Sequence, residues 1–197
     1  MLEKKLKEAF DPYFSAPLHV WEEFSNHCKL VSFKKDDIIK NANSTENHFY
    51  FILEGSVGIF IWKNNNFICL DLIYENSFVS DYMSFLLNSP TPIQVSALED
   101  SLFLSINKEN FHKLGNLPFG KEILRVAAEF SFILKQKQQI DLLLKTASER
   151  YLELLEKQPN VLQRTPLKHI ASYLGITQQS LSRIRKQIHY TNLPKGK

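Results

Sequence analysis

The sequence predicts an α+β protein, in which a β-rich N-terminal part is followed by a long amphipathic helix and a small basic helical part. Three observations predict this order: short β-branched and aromatic runs up to residue 106, an apolar repeat at steps of three and four after Gly120, and an excess of basic residues at the C-terminal end. Of the 197 residues, 44% are hydrophobic. This is enough apolar material for one large or two small cores and argues against a disordered chain.

Two short amphipathic helices are predicted at the start, over Leu2–Phe10 and Pro17–Cys28. From Lys29 to Ile106, runs rich in Val, Ile, Phe and Tyr alternate with turn residues, as is typical of strands. The runs are Leu30–Phe33, His48–Leu53, Val57–Trp62, Phe67–Tyr74 and Gln94–Ile106. Asn64–Asn66 is interpreted as a hairpin turn, because Asn tolerates a positive φ. The close spacing of the strands predicts an antiparallel sandwich or barrel.

A helical repeat follows Gly120, with apolar positions separated alternately by three and four residues, as in the seam of a coiled coil. The seam is Ile123, Val126, Phe130, Ile133, Lys137, Ile140 and Leu144. A seam of this length needs a partner, and the simplest one is the same helix of a second subunit in a twofold homodimer. Lys137 interrupts the apolar stripe, which favours one register at some cost in stability. The alternative is that the helix packs on its own sheet domain. A further amphipathic helix is predicted over Ala147–Lys157.

The charge is divided unequally along the chain, although the formal net charge of +3 looks neutral. Residues 1–144 carry 14 basic and 18 acidic residues, whereas residues 145–197 carry 10 basic and 3 acidic ones. No acidic residue follows Pro159. A basic C-terminal part on a mildly acidic body indicates either a phosphate-binding module or a solvated basic tail.

The stretch from Thr165 to Ile188 has the pattern of two helices joined by a tight corner. Thr165 and Pro166 suit the N-cap and the first position of the first helix. Gly175 stands where the chain must turn, Ile176 fills the corner and Thr177 caps the second helix. The inward positions are Ile170, Ala171, Leu174, Leu181, Ile184 and Ile188. The pattern predicts a helix-turn-helix, in which the second helix enters the DNA major groove.

The outward side chains of the second helix suit DNA recognition. Gln pairs with adenine and Arg with guanine, while Lys and Arg also neutralise phosphates. The candidate DNA-binding residues are Thr177, Gln178, Gln179, Ser180, Ser182, Arg183, Arg185 and Lys186.

With its parts in this order, the chain resembles the cyclic AMP receptor protein and FNR (Crp/Fnr) family of bacterial transcription regulators over nearly its whole length. Tyr50–Val57 is similar to the family's strand–Gly–strand signature, and Gln178, Gln179 and Arg183 fall on its base-contacting positions. The resemblance implies a β jelly roll, or double-stranded β-helix, for the sheet domain. It also implies a cytoplasmic homodimer that binds near-palindromic double-stranded DNA, and contact with RNA polymerase if the protein is an activator.

The chain departs from the family in its cyclic-nucleotide pocket. The family holds ribose and cyclic phosphate with a Gly-Glu pair and a later Arg-Ser pair. Here Ser80-Asp81 and Thr91-Pro92 stand at those places, and no Lys or Arg lies between Lys63 and Lys108. Because a buried phosphate needs a cationic partner, we expect no response to cyclic AMP. The remaining candidates for an effector pocket are Ser80, Asp81, Tyr82, Thr91 and Gln94, for an uncharged or apolar effector or for none.

Other features of the family and of related folds are not expected either. Cys28 and Cys69 are too few for the four-cysteine cluster of the FNR branch, and His48 is the only His between residues 28 and 111. We therefore expect no cofactor, no metal site and no enzyme activity, since a metal-dependent jelly-roll enzyme needs several His ligands. The β-hairpin wing that usually follows the recognition helix has only Tyr190–Lys197 left, so no wing is expected.

These observations divide the chain into residues 1–116 as a sensor domain with N-terminal helices, 117–144 as a dimerisation helix and 145–197 as a DNA-binding domain. The predicted function is a sequence-specific transcription regulator that acts as a homodimer. Two alternatives are a regulator that binds a cyclic nucleotide in an atypical pocket and a ligand-independent protein-interaction module.

Overall fold

The computed structural model describes residues 2–63 and 66–191, and the side chains of these residues up to Ile188. The helices in this part of the chain are α1 (Leu2–Phe10), α2 (Leu18–Asn26), α3 (Tyr82–Leu87), α4 (Lys108–Gly115), α5 (Pro118–Leu144), α6 (Ala147–Lys157), α7 (Val161–Arg164), α8 (Leu167–Tyr173) and α9 (Gln178–Thr191). The strands are β1 (Lys29–Phe33), β2 (Ile38–Lys40), β3 (His48–Glu54), β4 (Val57–Lys63), β5 (Asn66–Ile73), β6 (Phe78–Val79), β7 (Ile93–Ala97) and β8 (Ser101–Asn107). None of the described helices is long and apolar enough to cross a bilayer.

The eight strands form two antiparallel four-stranded sheets, with the orders β1-β8-β3-β6 and β2-β7-β4-β5. The inward side chains of both sheets meet in one apolar layer: Tyr50, Ile52, Val79 and Phe103 come from the first sheet, and Val57, Ile59 and Val95 from the second. This β-roll confirms the antiparallel sandwich that the strand spacing predicts.

The β-roll contains turns and short elements that the sequence pattern did not separate. The predicted strand Gln94–Ile106 is two strands, β7 and β8, which belong to different sheets. The strands β2 and β6 and the helix α3 are too short to show a period. Of the predicted turn Asn64–Asn66, residues 64 and 65 lie outside the described part, while Asn66 begins β5 and pairs with Lys63. The end of the chain, where no wing was expected, also lies outside it from residue 192 onward.

The start of α5 packs on its own β-roll instead of facing outward. Ile123 and Val126, the first two residues of the predicted seam, are 1% and 8% exposed. Gly120 makes this packing possible, since a Cβ there would lie 1.7 Å from the Leu114 carbonyl oxygen of α4. These two seam positions are therefore not available to a second subunit, because they are buried within their own chain.

The rest of α5 runs beside β5, with one face toward the β-roll and another toward solvent. On the near face, Lys135 pairs with Asp71 and the Gln138 amide donates to the Leu70 carbonyl at 3.1 Å. Several large apolar side chains of the helix are at least half exposed: Phe132, Ile133, Leu134, Ile140, Leu143 and Leu144. Phe130, another seam residue, is partly buried against Tyr13, which lies in the turn after α1.

The C-terminal helices share a hydrophobic core with the second sheet. Phe60, Cys69, Leu72 and Tyr74 of the β-roll belong to the same buried cluster as side chains of α6, α8 and α9. The helix partners in it include Tyr151, Leu154, Ile170, Ala171, Leu174 and Leu181. The Ser172 hydroxyl of α8 also accepts a hydrogen bond from the Cys69 backbone N–H of β5, at 2.9 Å. The helix pair is thus packed directly on the β-roll.

Arg164 adds charged contacts beside this core. Its guanidinium donates to Glu75 through Nη1 at 3.0 Å and to Glu99 through Nε at 3.0 Å. Burial by itself would raise the pKa of Glu75, but hydrogen bonds from Arg164 and the Gly55 N–H lower it overall. The ion pair therefore stabilises the fold fully above the usual carboxyl pKa and is lost as the pH falls through the lowered value.

Thr165, expected as the N-cap of α8, has a different role. Its side chain is 2% exposed and its hydroxyl is hydrogen bonded to the Tyr74 hydroxyl at 2.8 Å. Since that hydroxyl is used in the contact with the β-roll, α8 begins one residue later, with Pro166 at the N-cap position.

The substitution Arg164→Gln tests whether this residue holds the helices to the β-roll. It removes charge-assisted hydrogen bonds to two carboxylates, so we expect a loss of roughly 1–3 kcal/mol in the free energy of unfolding, measured in urea. Amides of α8 should exchange with deuterium faster, while those of β3 and β8 keep their rates.

The matched control is Arg125→Gln, whose ion pairs with Glu122 and Glu129 lie exposed on α5. It should change the stability by less than about 1 kcal/mol. Equal losses in the two variants, or unchanged exchange in α8, would show that Arg164 does not hold the helices in place.

Candidate functional site

The corner between α8 and α9 has the tight geometry that the sequence predicts. Gly175 has φ +69°, in the left-handed region that glycine tolerates best, and its N–H donates to the Ser172 carbonyl. The Ile176 N–H then donates to the Ala171 carbonyl at 2.9 Å. The Thr177 side-chain oxygen accepts the Ser180 N–H at 3.1 Å, which confirms Thr177 as the cap of α9. The second helix therefore leaves the corner in a direction set by backbone hydrogen bonds.

The helix α9 has one buried and one exposed face. Leu181 is 1% exposed in the core shared with the β-roll, and Ile184 and Ile188 pack against it. The opposite face exposes polar and basic side chains within about two turns of the helix start: Gln178, Gln179, Ser182, Arg183 and Lys186. Thr177 lies exposed beside them, and Ser180, hydrogen bonded to it, is half-buried.

Arg185 differs from the other candidate DNA-binding residues. It is only partly exposed, and it lies close enough to Tyr151 of α6 for its positive charge to offset part of the effect of burial, which raises the pKa of Tyr151. Its guanidinium is thus engaged with the helix behind α9, because residue 185 lies at the edge of the buried face. The exposed surface depends on Arg183 and Lys186 for its positive charge.

His169 of α8 does not contribute to the positive charge near this surface. Its ring is tilted against that of Phe60 of β4, with ring centroids 4.8 Å apart. Burial, together with the nearby charge of Lys168, lowers its pKa below the usual value. The imidazole is therefore neutral at physiological pH, and the positive charge comes from Lys and Arg side chains.

A second polar group lies inside the β-roll, at the candidate effector pocket. The Lys40 ammonium is 2.7 Å from an Asp81 carboxylate oxygen, with side chains 2% and 0% exposed. It also donates to the Thr91 hydroxyl at 2.9 Å and to the Ile93 carbonyl at 2.8 Å. The Thr91 hydroxyl donates in turn to Asp81. Asp81 and Thr91, two candidate pocket residues, are thus joined by an internal ammonium.

Glu46 places a second carboxylate in this region. It is 3% exposed, and its Oε1 accepts backbone N–H bonds from Asn47 and His48. Burial raises its pKa, although Lys40 and these hydrogen bonds act in the opposite direction. With two acidic side chains beside one ammonium, the region is unfavourable for a phosphate group.

Lys40 is the residue that the sequence reasoning missed. The sequence argument considered only cations between residues 63 and 108. Lys40 comes from β2, which the fold places next to β7 in the second sheet. The only signal in the sequence is a Lys at the end of the apolar pair Ile38-Ile39, and it does not reveal a partner 41 residues away.

The other three candidate pocket residues have separate partners. The Ser80 hydroxyl donates to the His48 carbonyl at 2.9 Å, and Tyr82 packs on Phe49 with ring centroids 5.7 Å apart. The Gln94 amide donates to the Ser96 hydroxyl at 2.9 Å.

Neither cysteine has the low pKa of a reactive thiolate. Cys69 is buried and Cys28 half-buried. Burial raises the pKa of each thiol to about 12.

Comparisons with known proteins agree with this architecture. The sequence profile of the cyclic nucleotide-binding domain matches residues 30–116. No curated protein matches the chain. Residues 30–116, with the β-roll at their centre, are therefore similar to the cyclic nucleotide-binding domain.

Among solved structures, the fold is similar to that of the c-di-GMP responsive global regulator CLP from Xanthomonas campestris, with a TM-score of 0.69, 17% identity, and 92% of this chain and 96% of that chain covered. FixK2 from Bradyrhizobium japonicum gives a TM-score of 0.71 at 16% identity, with 86% and 89% covered. The catabolite activator protein of Thermus thermophilus gives 0.54 at 16%, with 94% and 88% covered. The chain as a whole therefore shares its fold with these three solved structures.

The variant Lys40→Met tests the energetic role of the internal ion pair. It leaves the Asp81 carboxylate buried without a cation, so we expect a loss of roughly 3–5 kcal/mol in the free energy of unfolding in urea. The double variant Lys40→Met/Asp81→Asn should recover at least about half of this loss, because no buried charge remains unpaired.

The exposed pair Lys34–Asp100 is the control, since Lys34→Met should cost less than about 1 kcal/mol. The stability losses of Lys40→Met and Asp81→Asn are compared with the loss of the double variant. If the two single losses simply add up in the double variant, the two side chains are not coupled.

Proposed function

We propose that the protein is a sequence-specific DNA-binding transcription regulator of the Crp/Fnr type, which acts as a homodimer and does not depend on cyclic AMP. The observation that carries the proposal is the exposed polar and basic face of α9, which stands opposite a buried face and directly after a tight corner. In this proposal residues 1–116 form the sensor domain, 117–144 the dimerisation helix and 145–197 the DNA-binding domain.

The exposed residues of α9 match the requirements of readout in the major groove. Gln178, Gln179 and Arg183 have amide and guanidinium groups that pair bidentately with adenine and guanine. Lys186 supplies a phosphate contact, and Thr177 and Ser180 lie at the helix start, where backbone N–H groups also meet phosphates. Arg185 has a supporting role, since it is engaged with Tyr151.

The exposed apolar face of α5 supports the homodimer. Ile133, Ile140 and Leu144 repeat on one face, and that face lies away from the side on which Lys135 and Gln138 contact β5. An apolar stripe of this size is unfavourable in water and indicates an interface. A second copy of α5 is the simplest cover, with Phe130 at its edge and Lys137 within it. Two α9 helices would then read half-sites about one helical turn apart.

The interior of the β-roll supports independence from cyclic AMP. Lys40, Asp81 and Thr91 are buried and hydrogen bonded to one another, and Asp81 also caps α3 by accepting the Ser84 N–H at 3.2 Å. A cyclic phosphate would have to separate this ion pair and lie close to Asp81 and Glu46.

Arg183→Ala is the main test of DNA readout. Duplexes selected by the wild-type protein from a random pool supply the specific site. The substitution should cost roughly 1–3 kcal/mol on that site in a fluorescence anisotropy titration and leave binding to random DNA nearly unchanged. Lys186→Ala should instead weaken binding to both DNAs and reduce the salt dependence.

The control for Arg183→Ala is Arg125→Ala on α5, which should bind as the wild type does, and sedimentation should show the same oligomeric state for all variants. If selection enriches no sequence, or if Arg183→Ala discriminates between the two DNAs as the wild type does, the proposed readout is wrong.

A regulator that binds a cyclic nucleotide in an atypical pocket is the second candidate, favoured by the family match over residues 30–116. The two candidates differ in a thermal-shift experiment. Ligand at about 100 times its dissociation constant stabilises a protein by about 2.7 kcal/mol. We expect no shift with millimolar cyclic AMP, in the wild type or in Lys40→Met/Asp81→Asn. A clear upward shift in the wild type would establish the second candidate.

A further inference from the structure

A cleft of about 450 Å³ lies between the β-roll, α5 and the C-terminal helices. It is bordered by α1, by the end of β5 and the turn after it, by α5 and α6, and by the end of α8. None of the candidate effector residues Ser80, Asp81, Tyr82, Thr91 and Gln94 lines it. The cleft is thus separate from the Lys40–Asp81 region, and its volume is in the range of sites for small organic ligands.

One part of the cleft is apolar and rich in aromatic rings. Its lining includes Phe10, Tyr13, Phe51, Phe78, Val126 and Phe130. The rings of Tyr13 and Phe130 are in contact, and Phe10 lies edge-to-face with Phe78. This part suits a flat or aliphatic apolar group.

The lining carries more cations than carboxylates. Lys137, Arg150 and Lys157 line the cleft and form no direct ion pair within the described part of the chain. With Lys135 they make four cations against three carboxylates, of which Asp71 pairs with Lys135, while Asp141 and Glu153 share Lys145. The electrostatic balance of the cleft therefore favours an anion.

Arg150 provides a donor that lacks an acceptor. Its Nη2 donates to the Leu174 carbonyl at 2.7 Å and its Nη1 to the Lys145 carbonyl, so it connects the ends of α8 and α5. Its Nε–H is buried and has no hydrogen-bond partner among the described residues. A buried donor without an acceptor is costly, so a shift of the Arg150 side chain that lets an anionic oxygen in the cleft accept this N–H would be favourable.

We propose that this cleft is a binding site for an amphipathic organic anion, with an apolar body against the aromatic rings and a carboxylate or sulfonate group near Arg150, Lys137 and Lys157. Binding of this kind does not require DNA or a second subunit. A consequence for regulation rests on the proposed function: Lys137 belongs both to the cleft and to the predicted dimer seam, so a bound anion would neutralise a charge in the seam.

The test compares two probes that differ mainly in charge. The anion 8-anilinonaphthalene-1-sulfonate and its uncharged counterpart N-phenyl-1-naphthylamine are titrated into the full chain, in the absence of DNA, and the fluorescence gives Kd and stoichiometry. We expect saturable binding of the sulfonate at one site per chain. The neutral probe should bind at least about tenfold more weakly, because it lacks one charge-assisted contact.

Two pairs of variants locate the site on the protein. Ser131→Phe fills the cleft from α5 and should abolish saturable binding, whereas Gln139→Phe, on an exposed part of α5 outside the lining, should leave Kd within about twofold of the wild type. Lys137→Gln/Lys157→Gln should raise the sulfonate Kd about tenfold without changing that of the neutral probe, and Lys121→Gln should change neither.

Equal affinity for the two probes would overturn the proposal. Unchanged sulfonate binding in Ser131→Phe would also overturn it, because the dye would then bind to the exposed apolar face of α5. Urea unfolding of Ser131→Phe shows whether that variant is folded, and the double Lys variant tests the site independently of it. Since no DNA is present, these outcomes do not depend on whether the protein reads DNA.

Discussion

The contact between the C-terminal helices and the second sheet is the constraint on which the rest of the structure depends. It combines an apolar core, shared by β5 and α8, with the ion pairs of Arg164 and the hydrogen bond between Thr165 and Tyr74. Because apolar burial supplies the energy and the polar contacts select one geometry, the position of α9 relative to the β-roll is defined. The proposed DNA-reading surface thus has a fixed orientation within each chain.

The interior of the β-roll contains a buried ion pair that satisfies its own charges. A buried ammonium needs a carboxylate, and Lys40 finds it in Asp81, which also caps the short helix α3. In the proposed function this side-chain pair takes the place of a bound nucleotide. The cleft beside α5, by contrast, has cations that remain unpaired in the described part of the chain and an Arg donor that lacks an acceptor. Small-molecule control is therefore proposed at the cleft, where cations exceed carboxylates.

Local patterns in the sequence were sufficient for much of the architecture. The helix Leu2–Phe10, the helix Ala147–Lys157, most strands and the corner at Gly175 follow from periodicity and turn chemistry. The short elements β2, β6 and α3 could not be predicted, since fewer than about two turns or four strand residues carry no readable period. The predicted N-cap role of Thr165 was wrong for another reason. Its hydroxyl is hydrogen bonded to Tyr74, 91 residues away in the sequence, instead of capping α8.

The sequence by itself determined the order of the parts, the separation of charge and the polar outer face of α9, because each of these is a property of neighbouring residues. Only the tertiary structure decided that Ile123 and Val126 are buried within their own chain, that Arg185 lies close to Tyr151 of α6 and that Lys40 neutralises Asp81. The physical reason is that burial and ion pairing are set by which surfaces meet in the fold. An apolar repeat specifies that a helix face will be covered, but the packing of the folded chain selects what covers it.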